Sequence, residues 1–212
     1  AGIGEEDVFV EMYGSGDLRF YVTRTFLRGT APEIQKINAY MQEVYKECDE
    51  MWEQCKSMWN DMVLNHDMSE EIPDADVLLD LTGTELEVGS GISYVDERYI
   101  VFRVMEGGYW SGAAHPNYSY THYVFDRSTG ERLSIGDLVN KSDREICDII
   151  APYIDKDYNF NEGIWNIEPE LVLDPDRLFL TKEGIGIFFN RYDIDCYAAG
   201  EIEFVIPYEA FK

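Results

Sequence analysis

Basic residues are scarce in this sequence. Its 212 residues include 17 Lys and Arg against 42 Asp and Glu, a formal charge of −25. Nucleic acid is excluded as a partner, because binding phosphates requires clustered cations. Docking on an anionic membrane leaflet is disfavoured for the same reason. No apolar run approaches the roughly 20 residues that a membrane-spanning helix requires, and no signal peptide is visible. The opening Ala1-Gly2-Ile3-Gly4 reads as a mature end or a trimmed edge, which leaves room for a native signal or anchor that has been removed. The four cysteines, Cys48, Cys55, Cys147 and Cys196, contain no CxxC, so zinc-ribbon and thioredoxin-like readings fail. The three histidines, His66, His115 and His122, form no HExxH, and no GxSxG marks a nucleophile elbow. No metal or cofactor is expected, and neither βαβ alternation nor an internal repeat is visible.

What is present is a globular composition. Hydrophobic residues make up 45% and aromatics 14%, too much for a disordered acidic polymer. The length suits one domain or two small ones. The acid excess is no tail, since residues 1–90 carry 6 bases and 20 acids and residues 91–212 carry 11 bases and 22 acids. Such a surface favours solubility and attracts basic partners.

Residues 18–27, LRFYVTRTFL, are β-branched and aromatic and predict a strand. Thr30 and Pro32 then suit the opening of a helix. From Glu33 to about Leu64 there is no Gly or Pro, and apolar residues recur at Ile34, Ile37, Met41, Val44, Cys48, Met51, Cys55, Met58 and Met62. This spacing of 3 and 4 is a helical stripe. A sustained heptad also suits a coiled coil, but Tyr45, Trp52 and Trp59 widen the stripe as in a helix lying across a sheet. Cys48 and Cys55 share a face of this helix about 10 Å apart, too far to bond each other. Bridges to Cys147 and Cys196, or buried free thiols, both remain open.

Beyond an acidic loop at 67–76, strand-like runs occupy 77–88, 92–95 and 99–106. A Gly-rich loop follows from Gly107 to Asn117, then a strand over 118–126 and a turn at 126–132. Ser134 opens a short helical turn, and Ser142-Asp143-Arg144-Glu145 reads as a capping box for a helix to about Asp157. Residues 177–181 and 185–189 flank Lys182-Glu183-Gly184 as a hairpin, and 201–206 form a last strand ended by Pro207. The fold class is α+β, a mostly antiparallel sheet packed by one long helix and a second, shorter one. The expected division is a small N-terminal α+β domain over 1–90, holding the long helix at 33–64, and a C-terminal α+β domain over 91–212.

The second half carries SGAAHPN, then YVFDRSTGERLSIGDLV, then a helix, then RLFLTKEGIGIFFNRYDIDCYAAGEIEFVIPYEAF. In these motifs and their order, residues from about 93 to 211 resemble the RsiV-like extracellular domain. That domain is shared by the anti-sigma factor RsiV and the region preceding the catalytic domain of some peptidoglycan deacetylases. Residues 18 to 80, with PEIQKINAYMQEVY opening the helix, are similar to the smaller domain that often comes first in such proteins. The resemblance implies a bacterial, extracytoplasmic, non-enzymatic binding or sensor domain. It also implies lysozyme as a partner and an anti-sigma-like role, or a module holding cell-wall glycan beside a deacetylase. A surface of −25 suits a basic protein such as lysozyme and works against a partly acidic polymer. These 212 residues include neither a cytoplasmic sigma-binding segment nor a deacetylase domain, which leaves open whether such parts adjoin them, and no lysozyme-contact residue of the family maps onto a position here.

Candidate chemistry is thin. Ser111 and His115 suggest a nucleophile and base only if a third group completes them, and His115 more simply bonds within its loop. Asp155, Asp157, Asn159 and Asn161 alternate like a calcium loop, but Phe160 stands where Gly is needed and Asn166 where a bidentate Glu is expected. Among 42 acids some pair always stands at glycosidase spacing, so counting identifies none. Loop aromatics are the better lead, being enriched at protein interfaces and sugar platforms. The partner-binding candidates are Tyr109, Trp110, His115, Asn117, Tyr118, Tyr120 and Tyr197, the alternative being that these rings cover the sheet's open edge.

Overall fold

The computed structural model describes residues 5–15, 18–64, 83–110, 113–154 and 167–212. The loop at 67–76, the run at 77–82, His66, Ser111 and the calcium-like residues 155–166 lie outside them. So do the side chains of Met58, Trp59 and Met62.

A five-stranded sheet has the order β1-β2-β3-β4-β5. Its strands are β1 (Glu6–Ser15), β2 (Leu18–Leu27), β3 (Glu85–Val95), β4 (Tyr99–Tyr109) and β5 (Asn117–Asp126). Helix α1 (Pro32–Leu64) lies between β2 and β3 in the chain. β1 and β2 are antiparallel, from Glu6 opposite Leu27 to Ser15 opposite Leu18. β2 and β3 are parallel, from Arg19 beside Glu85 to Thr23 beside Gly89. The sheet is therefore mixed, and the sequence reading missed one crossover: parallel neighbours need a long connection, and α1 with the segment after it supplies it. A second sheet of three antiparallel strands has the order β6 (Leu178–Leu180), β7 (Gly184–Phe189), β8 (Ile202–Pro207). Three shorter α-helices, α2 (Ile135–Val139), α3 (Asp143–Ile154) and α4 (Pro169–Leu173), and three 3-10 turns complete the described elements.

The local signals act as expected. Ser134 Oγ accepts the Asp137 N–H while the Asp137 carboxylate accepts the Ser134 N–H at 2.8 Å, a closed capping box on α2. Ser142 and Glu145 repeat it on α3, the Ser142 N–H reaching Glu145 at 2.9 Å. Asp126 Oδ1 accepts the N–H groups of Ser128 and Thr129 and so tightens the turn after β5.

The chain forms two compact units, and their residues interleave along the sequence. The first comprises 1–29, 38–91 and 104–118. Its core sets α1 against the sheet: Met41, Tyr45, Cys48 and Trp52 are buried with Leu18, Phe20 and Val22. The Trp52 ring stacks on Phe20 at 5.6 Å and on Tyr13 at 5.7 Å. The widened stripe thus faces a sheet, as the sequence suggested, and not another helix. Where β2 and β3 cease to pair, a buried polar node takes over: the Tyr45 hydroxyl lies 2.9 Å from Thr25 O and from Ser90 Oγ, and Thr25 Oγ1 donates to Ser90 O at 2.8 Å.

The second unit comprises 30–37, 92–103 and 119–212. Ile146, Ile150 and Ile154 of α3 are buried with Ile185, Ile187 and Phe189 of β7 and with Phe204 and Ile206 of β8. All four cysteines are free thiols, Cys48 and Cys55 buried, Cys147 half-buried and Cys196 exposed. Burial, with Glu106 nearby, pushes the Cys48 thiol up to about 12, which leaves it protonated and unreactive.

Candidate functional site

The seven candidate residues divide between the two units. In the first, β4 runs on to Tyr109, past the expected end at residue 106. Gly107 and Gly108 lie inside the strand because it is squeezed from both sides there. A Cβ on Gly107 would stand 2.1 Å from Asn117 O, and one on Gly108 2.0 Å from Glu85 O. Their φ values of 150° and 149° suit glycine alone. Beyond this pinch between β3 and β5, Tyr109 and Trp110 stand at the strand end with 36% and 45% of their surface exposed. A turn closes behind them, the Ala113 N–H donating to Trp110 O at 2.9 Å.

His115 is half-buried, its Nδ1 3.1 Å from Pro116 O. Asn117 is exposed at the start of β5 and Tyr118 beside it is half-buried. Thus Tyr109 and Trp110 project, while His115, Asn117 and Tyr118 belong to the segment that returns to the sheet. Below them in the same unit, Glu106 has its carboxyl pKa raised, chiefly by burial and then by Glu47.

In the second unit the two candidate rings are engaged internally. Tyr120 is half-buried, with the Arg103 guanidinium 3.9 Å from its ring centroid and Phe188 edge-on at 5.7 Å. Its backbone is held by Asn190. Next to it, His122 is buried between Phe179 and Phe188, with ring centroids 5.5 and 5.1 Å away. Among the described residues its Nδ1 has no hydrogen-bond partner, and burial, reinforced by Arg103, lowers its pKa to about 4. It is a neutral ring at pH 7.

Tyr197 opens a single 3-10 turn and is half-buried. Its ring lies 5.7 Å from that of Tyr192 and 4.9 Å from the Arg191 guanidinium, and Arg191 also pairs with Glu201 at 3.1 Å. Tyr192 was missed by sequence reasoning. It is 57% exposed, more than any of the seven candidates among the large hydrophobic side chains, and its φ of 70° is unusual for a bulky residue. The signal was an aromatic ring inside the polar turn Asn190-Arg191-Tyr192-Asp193 directly after a strand. Exposed Tyr192 and half-buried Tyr197 together form a tilted pair of rings.

The second unit also holds a cavity of about 340 Å³. Ile185 and Phe211 supply apolar wall, Tyr99 and Tyr208 supply rings, and Arg98 and Lys212 stand among the lining. Each cation already has a carboxylate neighbour, Asp126 at 3.9 Å and Glu209 at 3.1 Å. Among the described residues no three His, Cys, Asp or Glu side chains gather as a metal site, and no helix is long and apolar enough to cross a membrane.

Residues 137–209 match the model of the DUF3298 family, described as protein of unknown function. A DUF3298 domain is therefore present, consistent with the RsiV-like resemblance carried by residues 93 to 211. A solved member of the DUF3298 family from Bacteroides fragilis superposes with a TM-score of 0.70 at 17% identity, covering 97% of this chain and 90% of its own. A DUF3298 family protein from Pseudomonas aeruginosa superposes with a TM-score of 0.58 at 10% identity, covering 97% and 91%. At these identities the likeness is one of fold. No curated protein matches the chain.

Proposed function

From a chain that carries a DUF3298 domain, a description assigning no activity, we propose a non-catalytic binding domain that works outside the cytoplasm and docks on a basic protein, lysozyme being the first to test. The observation that carries this reading is the exposure of Tyr109 and Trp110 at the end of β4, directly after the Gly107–Gly108 pinch, in a strongly acidic chain. Aromatic rings that reach solvent make effective anchors at interfaces. The charge supports the same partner. Most arginines and lysines of the described residues are already paired with carboxylates, as Arg19 is with Glu85 at 2.6 Å and Arg28 with Asp7 at 2.7 Å. The uncompensated surface charge is therefore negative, and it steers cations towards the chain.

The test is a calorimetric titration with lysozyme in low and moderate salt. Binding that weakens with salt and is lost on Trp110→Ala supports the reading. No binding in either buffer removes lysozyme as the partner.

A second reading, a module that holds cell-wall glycan, is favoured by Tyr192 beside Tyr197, since neighbouring rings that reach solvent suit the faces of sugars. Pull-down on purified peptidoglycan separates the two: retention abolished by Tyr192→Ala and indifferent to Trp110→Ala selects the glycan.

A further inference from the structure

One face of the first unit's sheet presents apolar side chains to solvent. The opposite face is the one that α1 packs, where Tyr13 stacks on Trp52 and Phe20 and Val22 are buried. Strand alternation puts Val8, Val10 and Met12 on the side away from Tyr13, and they are 51%, 72% and 71% exposed. In register they stand opposite Thr25, Thr23 and Tyr21 of β2, and residues opposed across a ladder share a face. Tyr21 and Thr23 lie beside Glu87 and Gly89 of β3. A Cβ on Gly89 would stand 3.5 Å from the Met105 methyl and 3.9 Å from the Glu87 carboxylate, so Met105 of β4 and Glu87 point to this same side. A contiguous exposed patch of this kind marks an interaction surface in a soluble protein.

The charges on the patch are of one sign. Glu6 shares the face with Val8, and Glu87 stands exposed beside Tyr21. Arg19, opposite Gly14, is the one base that β1, β2 and β3 place on this side among the described residues, and Glu85 holds it at 2.6 Å. Glu6 and Glu87 have no ion pair among the described residues, and one Glu6 carboxylate oxygen is buried there with no hydrogen-bond partner. A buried carboxylate oxygen calls for a donor, and the fold supplies none. Glu6 and the Tyr21–Glu87 row are six residues apart along the strands, about 20 Å, and Val8, Val10 and Met12 fill the interval.

Resting on the reading of a basic partner, we propose that this face is where that partner seats. The complementary surface has an apolar centre, laid on Val10, Met12 and Tyr21, and Lys or Arg on either side of it, one reaching Glu6 and one Glu87. Long cationic side chains suit such a surface, since their stems cover apolar area while their heads reach the carboxylates. An acidic partner is repelled by the same two groups.

The test is a calorimetric titration with lysozyme at about 0.05 M and about 0.5 M NaCl, the Debye length being much shorter in the second. Two double variants read the two parts of the face. Val10→Thr with Met12→Thr removes apolar surface and keeps strand-forming residues, and it is expected to lower affinity about tenfold in both salts. Glu6→Gln with Glu87→Gln is expected to lower affinity about tenfold at low salt and to flatten the salt dependence. Both leave the far-ultraviolet circular dichroism spectrum unchanged. Lysozyme binding that is lost on Trp110→Ala and indifferent to both double variants overturns this seat and leaves the docking reading standing. If lysozyme does not bind, that partner is removed, and a peptide of about ten residues alternating Lys and Val, long enough for the ~20 Å span, tests the face alone. Peptide binding that both double variants weaken supports the face, and peptide binding that they leave unchanged, or none, overturns it.

Discussion

The side-chain amide of Asn190 makes both backbone hydrogen bonds of Tyr120: its Oδ1 accepts the Tyr120 N–H at 2.6 Å and its Nδ2 donates to Tyr120 O at 3.0 Å. One residue beyond β7, a side chain takes the place of a strand and ties the second sheet's central strand to β5. Asn190→Ala leaves a half-buried donor and acceptor unpaired and is expected to cost about 1–3 kcal/mol. Asn190→Asp keeps the acceptor but sets a carboxylate against Tyr120 O, and is expected to cost at least as much at pH 7. Urea denaturation of the three proteins, compared at equal slope, measures both.

Tyr45→Phe removes the hydroxyl from the node shared with Thr25 and Ser90. Packing against Phe26, 5.3 Å away and edge-on, is preserved, so the loss isolates the polar contribution. A destabilisation of about 1–3 kcal/mol is expected, measured by the same denaturation.

His122 makes stability depend on pH. Its folded pKa of about 4 lies below the ordinary value of 6.5 because the ring is buried beside Arg103. Between these values the unfolded chain binds a proton that the folded chain does not, so acidification favours unfolding. The contribution is fully present above pH 6.5 and is lost progressively as pH falls towards 4, in total about 3 kcal/mol. Denaturation midpoints at pH 7 and pH 5 should separate more for the wild type than for His122→Phe, which has no proton to bind there.

Gly108→Ala drives a Cβ into the Glu85 carbonyl. A loss of about 2 kcal/mol or more is expected, together with weaker docking through Tyr109 and Trp110, which directly follow the displaced residue. Gly91→Ala is the control, since no atom lies within 4 Å of a Cβ there. A lysozyme affinity that falls for Gly108→Ala and not for Gly91→Ala supports the link.

Much of the fold was legible along the chain. The stripe from Ile37 to Cys55 announced α1, LRFYVTRTFL announced β2, and the Ser134 and Ser142 boxes announced α2 and α3, because periodicity and capping act within a few residues. β1 was not legible: Val8, Val10 and Met12 alternate as a buried face would, yet they face solvent beside acids held by Arg24 and Arg28, arginines a whole strand away. The parallel pairing of β2 with β3 was hidden as well, since its crossover spans the length of α1. Of the candidate rings, loop placement was readable but exposure was not.

The amino-acid order by itself determined the acidic surface, the helices with their caps, the hairpins and the α+β class, all set by composition or by neighbours a few positions apart. Only the tertiary structure decided which rings reach solvent and which strands pair. Tyr120 is claimed by Arg103, Phe188 and Asn190, whereas Tyr109 and Trp110 stay exposed at the end of a strand whose glycines lie close against the Glu85 and Asn117 carbonyls, and those contacts join residues far apart in the chain.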